Sequence, residues 1–353
     1  MYSTSIVEQR IAIAAEELGF RPEYHSASEV DEFDKALEAK YADVYAVAKS
    51  VSQGAEDPIK AFRIHMTKAL CDPQAPRLTR EEVRFIQNER LLIMCDAAYF
   101  LTRYYWILDR ENYRRRFSFQ DGQRILFDVI AEMEELGIAI EILLAKARQL
   151  GMTTLAVGLL LLKVMISDGV GSIVASADRG KTKEMVSKIF FAYDKLPWWL
   201  PPLTSKRVES DQGMIQFAGI DSKIIFQHGK QTNPIAMGST PVAYLLSEVS
   251  SYPDPENLIE VGLFKCVHPS QRVLGIQEST CKGDAGWWYE SYWNAKQNWD
   301  KGTSRCLALF LPFFCGTDMY PNETWLRKSP MPRDWKPLIY CCPSRLDLAA
   351  EPL

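Results

Sequence analysis

The chain has 353 residues, of which 47% are hydrophobic and 24% charged; this length allows about two to three domains, and the composition excludes a disordered, collagen-like or disulfide-scaffold chain. Its 41 basic and 45 acidic side chains leave a formal net charge of −4. That balance excludes a general nucleic-acid coat and confines any contact with DNA or RNA to a local basic surface on an acidic body.

The first twenty residues, MYSTSIVEQRIAIAAEELGF, show no basic start followed by an apolar run, so no secretory signal is expected. From residue 28 to about residue 110 apolar side chains recur at spacings of three, four and seven, as in Val30, Phe33, Ala36, Leu37 and Tyr41, or Val83, Ile86, Ile93 and Ala97. This periodicity predicts helices, broken at 53–58 and 71–76, where Gly and Pro fall in polar surroundings. The basic run Arg114, Arg115 and Arg116, with Arg110 and Arg103 nearby, is either a solvated face or a contact for DNA phosphate, a neighbouring subunit or a nucleotide.

Beyond residue 116 short apolar runs alternate with helix-period segments. Strands are predicted at 140–145, 172–175, 214–218, 223–227, 242–246, 272–276 and 306–311, and helices at 123–136, 153–166, 181–193 and 286–300. Such alternation predicts an α/β unit with a mainly parallel central sheet flanked by helices. The most apolar stretch, 155–166, contains Lys163 and falls short of the roughly 20 residues a bilayer requires; a soluble, intracellular chain without a membrane partner is expected. From Met319 the chain is Pro-rich and weakly patterned, as in a tail or linker. The organisation expected is a helical N-terminal region at 1–110, an α/β domain at 111–318 and a tail at 319–353. The eight cysteines include no C-x-x-C pair and the vicinal Cys341 and Cys342 cannot easily bond to each other, so reduced thiols are expected. None of the four histidines has zinc-site spacing.

The segment EILLAKARQLGMTTLAV, residues 141–157, reads as strand, turn and helix. Backbone N–H groups at a helix N-terminus bind phosphate oxygens, and a Ser or Thr hydroxyl there ligates magnesium. Against the pattern G-x-x-x-x-G-K-[ST], Gly151 and Thr153 fit, whereas Lys146 stands in place of the first glycine and Met152 in place of the lysine. Methionine cannot neutralise a phosphate, so the loop's cations are Lys146 and Arg148. Taken alone, the half-motif also fits an ordinary strand-turn-helix with a surface lysine.

Two more strand ends carry polar residues. PVAYLLSEVSSY, residues 241–252, ends an apolar run in Ser247 and Glu248, a place where an ATPase needs a carboxylate to orient water and a second oxygen ligand near magnesium. RVLGIQESTCKGDAGWWYESYW, residues 272–293, ends a strand in Glu-Ser-Thr and leads into Trp287, Trp288, Tyr289, Tyr292 and Trp293. Aromatics at this spacing either form core or offer base-stacking surfaces.

Together, residues 146–154 (KARQLGMTT), 247–248 and 278–280 resemble the variant Walker A, Walker B and coupling motifs of the large terminase subunits of tailed bacteriophages, over about residues 116–320. The resemblance implies a P-loop NTPase of the ASCE type, with an additional strand and a catalytic glutamate. It implies an ATP-driven motor that translocates double-stranded DNA into a procapsid, with ATP and magnesium as cofactors. On it, Lys146 contacts the β- and γ-phosphates, Arg148 acts at the γ-phosphate, and Lys146, Ala147, Arg148, Gln149, Leu150, Gly151, Met152, Thr153 and Thr154 form the nucleotide loop. Gln123 contacts adenine, with Gln120 as its alternative. Thr153 holds magnesium, Ser247 joins it directly or through water, Glu248 aligns the attacking water, and Ser279 and Thr280 carry the coupling. Ser247 departs from the stronger aspartate of the usual Walker B, although terminase-like sequences often show Ser-Glu here.

The family also implies a homo-oligomeric ring on a portal protein, a small terminase subunit as partner, and an arginine inserted from the neighbouring subunit, for which Arg179 is the candidate. The expected location is the cytoplasm of an infected bacterial host, transiently on the procapsid. After the last motor motif only Asp318, Glu323, Asp334, Asp347 and Glu351 supply carboxylates, so nuclease activity is not expected from this chain alone. The alternatives are a helicase-like DNA-dependent ATPase, or a non-hydrolysing nucleotide-binding module in which Met152 and Ser247 mark a decayed site.

Overall fold

The structure is a computed structural model and describes residues 5–312 and Cys315. The expected tail at 319–353, its carboxylates, Asp318 and the vicinal cysteines lie outside the described residues.

Six helices come first: α1 (Ser5–Leu18), α2 (Ala27–Lys40), α3 (Ala42–Ser52), α4 (Pro58–Leu70), α5 (Arg80–Cys95) and α6 (Ala97–Arg103). Their starts are written in local chemistry. Ser26 with Glu29 and Thr79 with Glu82 form reciprocal capping boxes, and Asp57 caps α4 with Pro58 in its first turn. A hairpin of two short antiparallel strands follows, β1 (Trp106–Leu108) and β2 (Arg114–Arg116). The predicted breaks at 53–58 and 71–76 fall between helices. Helix α1 and the hairpin were not read from the sequence, the hairpin because its three-residue strands are too short to show a period of two.

The remainder alternates: α7 (Asp121–Glu135), β3 (Ile140–Lys146), α8 (Met152–Met165), β4 (Gly171–Ser176), α9 (Arg179–Asp194), β5 (Thr204–Val208), β6 (Met214–Phe217), β7 (Lys223–His228), β8 (Ala243–Ser247), α10 (Phe264–Cys266), β9 (Leu274–Ser279), α11 (Trp287–Asn298) and β10 (Leu307–Leu311). A single 3₁₀ turn at Val249–Ser251 and a π-helical stretch at Glu256–Leu263 lie between β8 and α10. All seven predicted strands are present, but β5 was missed, because its mostly exposed TSKRV sequence has no apolar face. The strand predicted at 272–276 instead runs from Leu274 to Ser279, which brings Glu278 inside the sheet.

Eight strands form one sheet in the order β10-β3-β9-β8-β4-β7-β6-β5. From β10 to β7 neighbours run parallel, and β6 pairs antiparallel with both β7 and β5. The fold is therefore mixed α/β with a mainly parallel central sheet, as expected. Strands β3, β8 and β9 are buried along their whole length, the state of parallel strands covered on both faces. Helix α8 is apolar on nearly all sides and buried for most of its length, so it is an internal helix.

The helical region is packed onto this layer. Arg63 of α4, 2% exposed, donates to the carbonyls of Tyr193 at 2.8 Å and Leu196 at 3.1 Å. Buried Glu89 of α5 accepts from the Tyr99 and Tyr104 hydroxyls and contacts His25 Nδ1 at 2.5 Å. One apolar cluster runs from Val7 through Phe100 and Leu160 to Leu311. Among the described residues no helix is long and apolar enough to cross a membrane.

Candidate nucleotide site

In open parallel sheets, ligands bind beyond the carboxyl ends of the strands. Three such ends converge here. Strand β9 lies between β3, which leads into the loop, and β8, which carries the acidic motif. This places an additional strand between the loop strand and the acidic strand, the order the ASCE reading requires.

Lys146 is the last residue of β3, opposite Leu311 of β10, and only 9% exposed. The loop then turns through two residues of positive φ, Gln149 at 62° and Gly151 at 69°, and α8 begins at Met152. In its first turn the Thr154 N–H donates to the Gly151 carbonyl at 3.1 Å, and the N–H groups of Met152 and Thr153 face the loop's anion position. Met152 is 1% exposed and belongs to the apolar core. The residue at the ordinary lysine position thus anchors the loop, and Lys146 supplies its buried cation. Arg148 and Gln149 are exposed, Leu150 is buried, and Ala147, Thr153 and Thr154 are half-buried.

Three contacts hold the loop. Gln123 of α7 donates Nε2–H to the Gly151 carbonyl at 2.9 Å, while its Oε1 accepts from Gln120 N–H at 3.0 Å. Both ends of its amide are therefore engaged by the protein itself, the Oε1 end in the capping box that Gln120 and Gln123 form. Arg110 donates to the Gln149 carbonyl at 2.9 Å, and the Tyr105 hydroxyl to the Thr154 carbonyl at 2.9 Å. Most of the basic run is also employed structurally: Arg116 pairs with Asp31, Arg115 with Asp109, and Arg103 donates to the His25 carbonyl, whereas Arg114 is exposed.

The centre of the constellation is a residue that sequence reasoning passed over. Glu278 is fully buried and stands opposite Ser247 in β8 and Leu144 in β3. Paired residues of parallel strands share a face, and residues two apart on a strand do also, so Ser247, Glu278 and Lys146 point to one side of the sheet. The Ser247 hydroxyl donates to Glu278 Oε1 at 2.9 Å, the Thr153 hydroxyl donates to the same oxygen, and Lys146 Nζ lies 3.8 Å from Oε2. Glu278 Oε2 has no hydrogen-bond partner among the described residues. The available signal was a carboxylate within an otherwise uncharged strand, GIQES, beside a strand whose expected aspartate is a serine.

Glu248 follows β8 directly, in a left-handed conformation with φ of 58°. A non-glycine residue held there is strained. Its side chain is 25% exposed, and Oε2 lies 3.9 Å from Lys181 Nζ of α9. Ser279 connects the next strand to this turn: its hydroxyl donates to Ser250 Oγ at 2.7 Å and accepts from Ser250 N–H at 3.0 Å. The Thr280 carbonyl accepts from the Ser250 hydroxyl at 3.1 Å. Glu248 and the Ser279-Thr280 pair are thus tied through Ser250. Beneath them, burial and then the Glu278 charge push the Tyr252 phenol far above its ordinary range, so it stays neutral.

Arg179 does not join this group. It opens α9, its side chain is 74% exposed, and it lies 3.7 Å from Asp211. His228 is close to it, and burial lowers the imidazole below its usual value, with the Arg179 charge second. The aromatic segment divides by face. Trp288 and Tyr292 are core, and Tyr289 and Trp293 are each 38% exposed beside a pocket of about 500 Å³ that Ala145, Ser250 and Phe310 also line.

A loop at a helix N-terminus, a buried cation at its start and oxygen donors from two strand ends and the first turn of α8 fit a nucleotide phosphate with a magnesium ion. The donors are all hard oxygens, the kind magnesium selects, and the unpartnered Glu278 oxygen is the one a cation would satisfy.

No family model matches the chain, and no curated protein does. Solved structures do resemble it. The large terminase of bacteriophage HK97 aligns with 60% of this chain at 12% identity and a TM-score of 0.47, and the match spans 42% of that protein. The ATPase domain of the Thermus phage P74-26 large terminase aligns with 63% of this chain, over 98% of that domain, at 12% identity and a TM-score of 0.39. The large terminase of another thermophilic bacteriophage, in complex with ADP, aligns over 61% of this chain and 51% of that protein, at 10% identity and a TM-score of 0.42. At these identities the likeness concerns fold alone, and the roles of individual residues rest on this chain's own geometry.

Proposed function

We propose that this chain binds and hydrolyses ATP at the β3–α8 loop and serves as the motor of viral DNA packaging, driving double-stranded DNA into a procapsid. The observation that carries the ATPase reading is the convergence of Lys146, Thr153 and Ser247 on one face at the ends of β3, α8 and β8, with Glu248 one residue beyond. The DNA-packaging part rests on the order of the three partial motifs, each at a strand end, which resembles that of large terminases.

In this reading the α8 N-terminus and loop amides bind the phosphates, and Lys146 neutralises charge on the β- and γ-phosphates from a site shielded from water. Arg148, exposed on the loop, reaches the γ-phosphate. Thr153 and Ser247 stand where a magnesium ion is held, and magnesium when bound offsets the charge that develops on the transferred phosphoryl group. Glu248, held in a left-handed turn at the end of β8, orients the attacking water. Ser279 senses the position of that turn through Ser250 and passes it to β9 and the segment leading to α11. Double-stranded DNA, a portal protein, a small terminase subunit and neighbouring copies in a ring are the partners this function requires. Arg179, exposed at the start of α9, is the arginine offered to a neighbour. An arginine supplied in trans is worth roughly 10³ to 10⁵ in rate, so the isolated chain turns over slowly.

The test is magnesium-dependent ATP hydrolysis at high protein concentration, with and without double-stranded DNA. Turnover that is lost in both Glu248→Ala and Lys146→Ala supports the reading. Normal turnover in Lys146→Ala refutes the variant-loop assignment, and nucleotide binding without turnover under every condition favours a non-hydrolysing module.

A further inference from the structure

We propose that Glu278 is a magnesium ligand of the nucleotide site, supplying from β9 the carboxylate that Ser247 does not provide on β8. The inference rests on the nucleotide-site reading above and concerns a residue that reading leaves without a task.

Ser247 and Glu278 are register partners in adjacent parallel strands, so a carboxylate on β9 occupies nearly the same place, relative to the loop, as one on β8 would. Two hydroxyls, those of Thr153 and Ser247, donate to one oxygen of Glu278. A hydroxyl that donates in one direction keeps lone pairs for another, so the three side chains make one cluster of oxygen donors. The second oxygen, Oε2, is buried and has no hydrogen-bond partner among the described residues. Lys146 Nζ, 3.8 Å away, is beyond hydrogen-bond range. A buried carboxylate requires a partner charge or full hydrogen bonding, and Lys146 meets that need incompletely if it also serves phosphate. A cation at Thr153 would complete both. Magnesium is commonly held by one or two carboxylates, with waters and phosphate oxygens filling the remaining positions, so a lone Glu278 with two hydroxyls suffices. Glu248, partly exposed and paired with Lys181, is left for water.

The experiment is calorimetric titration of the full chain with ADP, in EDTA and in magnesium, and titration with manganese followed by electron paramagnetic resonance in the presence of ADP. In the unmodified chain the divalent cation strengthens ADP binding. Glu278→Gln should lose that gain by at least about tenfold while its affinity for ADP in EDTA stays within about threefold. Ser247→Asp in the Glu278→Gln background should restore manganese binding, since the charge returns to the facing strand. Glu278→Asp, which keeps a charge beside Lys146, should show a smaller loss and serves where Glu278→Gln melts early. An unchanged cation gain in Glu278→Gln overturns the proposal. Equal loss of ADP binding with and without cation also overturns it, because Glu278 would then act only by holding Lys146. Failure of the unmodified chain to bind ADP in either buffer overturns the nucleotide-site reading itself.

Discussion

Replacing Gly151 by alanine tests how the loop is held. Gly151 has φ of 69°, a region that costs an L-residue about 1 kcal/mol. A Cβ built there meets Gln123 Nε2 at 2.6 Å, so the amide must withdraw and give up its hydrogen bond to the Gly151 carbonyl, a further loss of about 1 kcal/mol. Gly151→Ala should therefore destabilise the chain by about 2 kcal/mol. Gln123→Ala removes that bond and also the one accepted from Gln120 N–H, and should cost a similar amount, roughly 2 kcal/mol. In the double variant the new methyl group meets no amide, and only the backbone strain is added to the Gln123→Ala cost. The two changes should thus couple, the double being about 1 kcal/mol less destabilised than additivity requires. Urea unfolding of the four proteins measures the coupling, and ADP titration should show both single variants binding more weakly. Strict additivity would refute the argument that Gln123 braces the loop at Gly151, and so would a neutral Gly151→Ala.

Two further outcomes follow from charges outside the site. Arg305 donates to both Glu141 oxygens, at 2.9 and 2.7 Å, and to the Phe264 and Val267 carbonyls, while Tyr244 donates to Glu141 at 2.8 Å. Arg305→Ala strands a carboxylate that is 1% exposed in β3, at a cost of about 3–5 kcal/mol; Glu141→Gln in that background should recover part of the loss in a thermal melt, and no recovery would show that Arg305 acts by packing alone. Asp31 is held below the usual carboxylate range by its hydrogen bond from Arg116, so its contribution is complete above the unfolded value of about 3.9 and fades as pH falls through the lower folded value. The melting difference between the unmodified chain and Asp31→Asn should therefore be constant near neutrality and shrink in acid, and a difference that grows in acid would reverse the sign of the linkage.

The parts of the fold that were legible are those with local causes. The apolar runs of β3, β4, β8 and α8 and the period of α9 announce buried elements whatever surrounds them. Gly151 and the Thr-Thr pair mark the loop because backbone conformation and helix starts are local events. Strands such as β5 and the β1–β2 hairpin were not legible, since pairing with a neighbour, and not their own pattern, makes them strands. Met152 was legible as an anomaly, but its fate was not: only the packed structure shows that it goes into the core and leaves Lys146 as the buried cation.

Glu278 was illegible for a related reason. Its position opposite Ser247, 31 residues away, is set by the register of two strands joined through a π-helical segment, and register is not written in either strand alone. What the sequence does contain is a deficit, a serine where the usual Walker B has an aspartate, and a surplus, a carboxylate in a buried strand nearby. A burial cost of several kcal/mol for an ion makes such a surplus hard to keep without a counterpart. The two anomalies become one statement once β8 and β9 are known to be neighbours: the charge missing from one strand end stands on the next, on the same face, with the hydroxyl of Thr153 already turned toward it.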